Sequence, residues 1–387
     1  MNTRRVVITG SGFVLPLGSS VPQVLAGLAE SSGPFVPALQ DRDVAACPVP
    51  NFDLKRLTGR FKNLRYLTRG QELCLAAAML AVQDGGLKPE HLHSAGLFLG
   101  IGPNIDASVR RDKALWLLDY LPNTLAAVTA QILGVHGENL TILTACAAST
   151  QALGQAWLAV SSGRVLVALA GGGDSRLSGP GILAYKQAGV LATGFSQAAM
   201  ACRPFDQSRH GFAVGEGGAV FVLESLEHAR ERRAPILAEV VAASSSLDGY
   251  SLTGPDPSGA AAGQAVGRVL AALDPDAVCI VAHGTGTVLN DAVESAVISR
   301  TVPVAKAICA FKSRIGHLAA ACGAAELALS LVCLRHGWFP AIANLENPCH
   351  PDLPFLREPA RIQPSGLIVQ SFGFGGQNAC LGVRPWT

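Results

Sequence analysis

Short apolar runs alternate with helix-period segments along this chain. In its first part, Val6–Thr9, Leu97–Gly100, Leu140–Leu143 and Val165–Ala170 have the bounded apolar character of buried strands. Thr68–Gln83 and Ala147–Ser162 carry helical patterns between them. The second part repeats the alternation, with strand patterns at Ile236–Ser244, Val278–Ala282, Ala307–Phe311, Gly366–Ser371 and Ala379–Val383, and helical patterns at Gly259–Leu273, Asp291–Arg300 and Ala319–Arg335. Alternation on this scale predicts an α/β protein of βαβ units with mostly parallel sheets. The Ala/Gly-rich segment Leu318–Leu334 predicts close contact between layers, because small side chains let backbones approach. The charged stretch Glu227–Pro235 marks the junction of two halves, 1–234 and 235–387, or a solvated helix before the second half. No internal repeat is visible in the letters, so any kinship of the halves lies in element order.

Composition narrows the class. The 387 residues exceed the usual single-domain size, and 49% hydrophobic against 15% charged residues provides a large core under a sparsely charged surface, which excludes a disordered chain. A formal net charge of +2 argues against nucleic-acid binding by the chain as a whole. No uninterrupted apolar run of about 18 residues marks a membrane span. Arg4 and Arg5 precede the apolar Val6–Ile8, but Gly10 and Gly12 cut that run short, so it reads as a first strand and not a secretion signal. The ten cysteines include no CxxC pair. They read as reduced thiols in a cytoplasmic protein, with no metal implied.

One cysteine stands apart. Cys146 lies in LTILTACAAST, where a strand pattern gives way to a helix, and the free N–H groups of a helix start favour a thiolate and can hold an oxyanion. A small buried cysteine fits the same segment. His283 follows a strand in VAHGTGTVLND, at the carboxyl end where open sheets bind ligands, with Thr285 and Thr287 offering hydroxyls; an ordinary hydrogen-bonded turn histidine fits equally. His317, in FKSRIGHLAAACGAAE, precedes an Ala-rich helix, a position that favours a neutral ring. Lys312 and Glu326 form a candidate charged pair beside it, catalytic support or a structural salt bridge. Two neutral imidazoles aimed at one oxygen suit the enolate left when a malonyl thioester loses carbon dioxide. The closing SFGFGGQN is either a gate, with Phe372 and Phe374 over an acyl pocket and an oxyanion N–H at Phe374, or a hairpin with both rings in the core.

Taken together, TACAAST, AHGTGTVLND, KSRIGH and GFGGQN resemble, in order and spacing, the β-ketoacyl-acyl carrier protein synthases of the elongating type. RPFDQSRHGFAVGEGGAVFVLE and GPDPSG are similar to further family segments, and the resemblance spans nearly the whole chain. It implies a thiolase fold, two similar halves in a five-layer α/β/α/β/α sandwich, dimeric with a copy of itself or a related ketosynthase. It also implies a ping-pong decarboxylative condensation in fatty acid or specialised polyketide or polyene synthesis. Cys146 would carry the acyl chain, His283 and His317 would assist decarboxylation, and Lys312 and Glu326 would support them. Thr285, Thr287 and Asn378 would bind substrate and Phe374 would gate the channel. No cofactor is implied beyond the phosphopantetheine arm of the carrier protein. Carrier proteins are acidic, and Lys62, Arg65 and Arg69 match the docking region of the family, although scattered cations at a helix start fit as well.

Two departures bear on specificity. Between Gly102 and Leu121 the chain is shorter than typical synthases, in a region that shapes the dimer interface and acyl pocket, and His210 stands where the family usually has Asp. A non-catalytic chain-length-factor-like partner is the alternative reading, which retention of Cys146, His283, Lys312 and His317 opposes. A coenzyme A thiolase would need a second cysteine, and Cys380, the one candidate, reads as core.

Overall fold

A computed structural model describes residues 3–105 and 114–386. In the first half the strands are β1 (Val6–Val14), β2 (Val36–Pro37), β3 (Ala45–Cys47), β4 (Gly96–Ile101), β5 (Asn139–Ile142), β6 (Val167–Ser175) and β7 (Val214–Ser225). Its helices are α1 (Val21–Ala29), α2 (Lys55–Thr58), α3 (Arg69–Asp84), α4 (Pro89–Leu92), α5 (Thr124–Leu133), α6 (Ala148–Ser161), α7 (Gly179–Gln187) and α8 (Leu226–Glu231). The second half adds β8 (Ala238–Leu247), β9 (Val278–Val281), β10 (Ala307–Cys309), β11 (Gly366–Gly373) and β12 (Gln377–Pro385). With them come α9 (Ala260–Leu270), α10 (Val288–Thr301), α11 (Lys312–Ile315) and α12 (Cys322–His336).

The ladder runs β10-β9-β11-β12-β8-β1-β7-β6-β4-β5. Each half follows the same plan: β5, β4 and β6 are mutually parallel and β7 and β1 antiparallel, as β10, β9 and β11 are parallel and β12 and β8 antiparallel. In the strand ladder the halves join where Val6–Ile8 pairs with Ala238–Val240, and an isolated bridge links Val214 to His317. Otherwise they stack, with α6 and α12 between the two sheets, α3 and α5 outside the first, and α9 and α10 outside the second. Three apolar clusters follow these layers, one around α6 and α12, one under α3 and one under α9 and α10. This is the five-layer thiolase fold.

Two expectations are corrected. Strand β1 does not end at Gly10 but continues through Gly12 to Val14. These glycines let α3 lie directly on the strand, since a Cβ at Gly10 would meet the Ala81 carbonyl oxygen at 2.5 Å and one at Gly12 the Ala77 oxygen at 2.1 Å. Strand β7, buried along its whole length, is absent from the strand pattern above because Gly215, Gly217 and Gly218 and the buried Glu216 and Glu224 break its apolar run. The one helical stretch among the described residues with the length and apolarity to cross a membrane, Ala319–His336, is 83% buried within the protein, as a core helix should be.

The internal symmetry extends to the helix starts. A short 3₁₀ turn, Ala145–Ala147, leads into α6, and another, Ala319–Ala321, leads into α12. Each opens on an alanine with left-handed backbone, φ 48° at Ala145 and 47° at Ala319. Cys146 and Ala320 hold the second place in these two turns. The Ala320 N–H donates to Asp174 Oδ2 at 3.2 Å.

Candidate active site

Cys146, His283 and His317 come from three separate strand-to-helix junctions, yet Sγ and one ring nitrogen of each histidine lie within 4.8 Å of one another. The imidazoles are buried and meet edge to face at 5.6 Å between centroids. Their hydrogen bonds fix the tautomers. His317 Nδ1 accepts from the Ala319 N–H at 2.9 Å, so its proton is on Nε2. Lys312 Nζ contacts His283 Nδ1 at 3.2 Å, the His283 carbonyl oxygen at 2.5 Å and Glu326 Oε1 at 2.6 Å, using all three ammonium donors. His283 Nδ1 is therefore an acceptor as well, and its proton is on Nε2. Both rings are donors toward the cavity. A metal ion on Nε2 would require a proton on each Nδ1, which faces a donor in both rings, so the same spacing suits an oxyanion better than a cation.

Electrostatics favours neutral rings. Burial, followed by the Lys312 charge, holds the pKa of His283 and His317 well below the usual histidine range. Lys312 stays charged: burial opposes its ammonium, but Cys322, the paired Glu326 and Glu294 outweigh that and raise its pKa. Glu326, fully buried, is pushed up to about 7 by burial, against the pull of Lys312. The expectation of a resting thiolate at Cys146 is corrected. Its side chain opens onto the cavity, yet burial dominates and pushes the thiol up to about 11, with Lys312 and the backbone N–H groups of Cys146 and Phe374 pulling the other way. Those N–H groups are in place for an oxyanion, but a helix start alone does not outweigh desolvation.

The cavity, about 340 Å³, is lined by Cys146, both histidines, Thr285, Thr287, Phe372, Phe374 and Asn378. Phe372, one residue before the end of β11, lies edge-on to His283 at 6.0 Å, and Phe374–Gly376 form the turn into β12, so hairpin and cavity wall are one segment. Thr285 and Thr287 hydroxyls bond each other at 2.9 Å. Asn378 Nδ2 donates to Asp248 Oδ1 at 2.6 Å, while the Asp248 N–H donates to the Gly376 carbonyl oxygen at 2.9 Å, tying the turn to the loop after β8. His210 also lines the cavity, its two ring nitrogens facing the carbonyl oxygens of Ser208 and Thr193. Cys380 packs into the outer cluster beneath α9.

Several functional-looking residues escaped the sequence reading. Glu294 takes the N–H groups of His283 and Gly284, and Asp291 takes those of Thr285, Gly286 and Phe205, so two buried carboxylates of α10 set the loop that carries His283. Tyr185 and Phe212 enclose His317, the latter at 4.5 Å between centroids. The VLND letters were the available signal for Asp291; nothing in the sequence pointed to Tyr185. Lys62 and Arg65 are exposed on a 3₁₀ turn, Lys62–Tyr66, whereas Arg69 is committed to the buried Glu216 at 2.9 Å. Of the shortened segment, residues 106–113 lie outside the described residues; the described part includes a 3₁₀ turn at Trp116–Asp119.

Residues 3–229 match the N-terminal domain of the β-ketoacyl synthases and residues 237–346 their C-terminal domain. The chain belongs to the β-ketoacyl synthase family. This ketosynthase is 30% identical to 3-oxoacyl-[acyl-carrier-protein] synthase 2 of Synechocystis sp., over all of this chain and 99% of that protein. It is 31% identical to Nodulation protein E of Rhizobium leguminosarum bv. trifolii, over 98% of this chain and 99% of the other. Among solved structures it superposes on a β-ketoacyl synthase from Burkholderia phymatum with a TM-score of 0.89 at 29% identity, covering 99% of this chain and all of that one. The ishigamide ketosynthase/chain length factor gives 0.86 at 29% identity, with both chains fully covered.

Proposed function

We propose that the protein is a 3-oxoacyl-acyl carrier protein synthase that extends a Cys146-bound acyl chain by decarboxylative condensation with a malonyl carrier protein. The observation that carries this reading is the convergence of one sulfur and two Nε2–H imidazoles on a single cavity. Cys146 Sγ attacks the incoming acyl thioester, and the phosphopantetheine thiol leaves with the proton. The N–H groups of Cys146 and Phe374 hold the oxyanion of that step. The malonyl thioester then binds with its carbonyl oxygen between His283 and His317. Loss of carbon dioxide leaves an enolate on that oxygen, stabilised by the two N–H donors. Its carbon attacks the acyl carbonyl, and Cys146 leaves as the new β-keto thioester forms on the carrier protein.

No cofactor beyond the carrier's phosphopantetheine is called for, and the ten free thiols suit a reducing cytoplasm. Lys62 and Arg65 are the docking candidates for an acidic carrier protein, with Arg69 serving Glu216. The strand order supports a division at residue 234, with the nucleophile in one half and both histidines in the other. Likeness to the ishigamide ketosynthase/chain length factor supports pairing with a related ketosynthase, and likeness to 3-oxoacyl-[acyl-carrier-protein] synthase 2 supports a fatty acid role. Incubation with acyl and malonyl carrier proteins, read by mass spectrometry, tests the reading. Acylation confined to Cys146 and a product two carbons longer are expected. Acylation without condensation points to a missing partner, and no acylation at all refutes the catalytic role.

A further inference from the structure

Tyr185, near the C-terminal end of α7, brings a phenol to the wall of the reaction cavity and finds no partner there. Its ring is fixed: edge-on to Phe212 at 5.3 Å between centroids, 6.5 Å from the His317 ring, and packed against the cluster of Ile182, Leu191 and Val214. Several other polar side chains of the cavity already have partners. Thr285 bonds Thr287, Asn378 bonds Asp248, Glu294 takes two backbone N–H groups, and His210 faces two carbonyl oxygens. The Tyr185 hydroxyl has neither donor nor acceptor among the described residues.

The residue is half-buried and lines the open cavity, so the hydroxyl is available to a group that arrives there. Phenylalanine would fill the same space and pack on Phe212 as well, but would offer no donor. Burial, with Cys146 and Asp174 adding to it, pushes the phenol far above its ordinary range, so it is a neutral donor under all working conditions. A hydrogen-bond acceptor brought into the cavity by the substrate is the partner such a donor suits.

We propose that Tyr185 is a specificity-determining residue whose hydroxyl donates to an oxygen on the first few carbons of the Cys146-bound acyl chain, so that the site selects oxygenated chains, β-hydroxy or β-keto, over fully reduced ones. This deepens the condensation reading above and rests on it. The position beside His317, whose ring shares the 4.8 Å cluster with the sulfur, puts the donor near the thioester end of the chain and away from the distal tail. A site that hydrogen-bonds a substrate oxygen discriminates against the analogue lacking it, because the donor is then left dry.

The test compares wild type with Tyr185→Phe, which removes only the hydroxyl. Each protein is given malonyl carrier protein and either 3-hydroxybutyryl or butyryl carrier protein, and kcat/KM for condensation is measured with product mass. Wild type should favour the hydroxylated chain by roughly tenfold. Tyr185→Phe should bring the ratio close to one by losing rate on the hydroxylated chain alone, with an unchanged melting temperature. A ratio identical in the two proteins overturns the proposal while leaving the condensation reading intact. An equal loss with both chains also overturns it, because the hydroxyl would then act on the malonyl unit. If neither chain acylates Cys146 of the wild type, both readings fall; if acylation occurs without condensation, the same two ratios are read from the rate of Cys146 acylation.

Discussion

Lys312 holds His283 at two points: its ammonium donates to the backbone carbonyl oxygen at 2.5 Å and to ring Nδ1 at 3.2 Å. The third donor goes to Glu326 at 2.6 Å. A single buried cation thereby sets both the position of the loop and the tautomer of the ring. Lys312→Met should lower carbon dioxide release from malonyl carrier protein by roughly 10²-fold through loss of that donor geometry. It should also cost roughly 3–5 kcal/mol of stability, because Glu326 is left buried without its partner. Lys312→Arg should not restore activity, since a planar guanidinium cannot reproduce three divergent donors.

The histidines predict an unusual pH response. Both pKa values are held well below 6.5, by burial first and by Lys312 next. Below about 6.5 the unfolded chain takes up protons that the folded rings refuse. Stability is therefore complete above that pH and declines as the pH falls beneath it. Decarboxylation needs neutral rings and should run through pH 6.5 without inflection. A pH–rate profile with an acid limb centred at 6.5 would contradict the assignment.

Cys146 should behave as a buried thiol, not as an exposed thiolate. With its pKa near about 11, alkylation by iodoacetamide should rise roughly tenfold per pH unit through the neutral range. Lys312→Met should slow it further, since that cation pulls the thiol pKa down. A rate already level at pH 7 would refute this.

Gly373 gives the sulfur its room. A Cβ there would lie 3.0 Å from the Cys146 nitrogen and 3.2 Å from the Thr144 carbonyl oxygen. Gly373→Ala is expected to displace the Phe374 N–H and slow acylation of Cys146 by roughly 10²-fold, the cost of one oxyanion donor. The melting temperature should move far less than activity does.

Arg69 and Lys62 should separate cleanly. Arg69→Ala strands the buried Glu216 and, discounted for the half-exposed guanidinium, should cost about 1–2 kcal/mol in thermal unfolding. Lys62→Ala should leave stability alone and raise KM for the carrier protein in a salt-dependent way.

Much of this was legible in the letters, for stated reasons. Strands with clean apolar runs, such as Val278–Val281, and helices with long small-residue patterns, such as α3 and α12, announce themselves. So do Cys146, His283 and His317, because each sits where a strand pattern turns into a helix or a glycine loop. What stayed hidden depends on contacts between distant segments. The length of β1 rests on α3 crossing its glycines, and β7 is disguised by glutamates whose partners include Arg69 and Thr9, far off in sequence. The resting state of Cys146 was misjudged because a helix start is local and desolvation is not.

The doubled architecture has armed only one of two equivalent seats. Ala320 occupies in the second half the place that Cys146 occupies in the first, but its amide is already pledged to the Asp174 carboxylate. A sulfur introduced there would sit on an amide already engaged, whereas the Cys146 N–H bonds its own sulfur, so copying the residue would not copy the reactivity. On the proposed mechanism the chemistry is hybrid: one repeat lends the attacking atom and the other the electrophilic support.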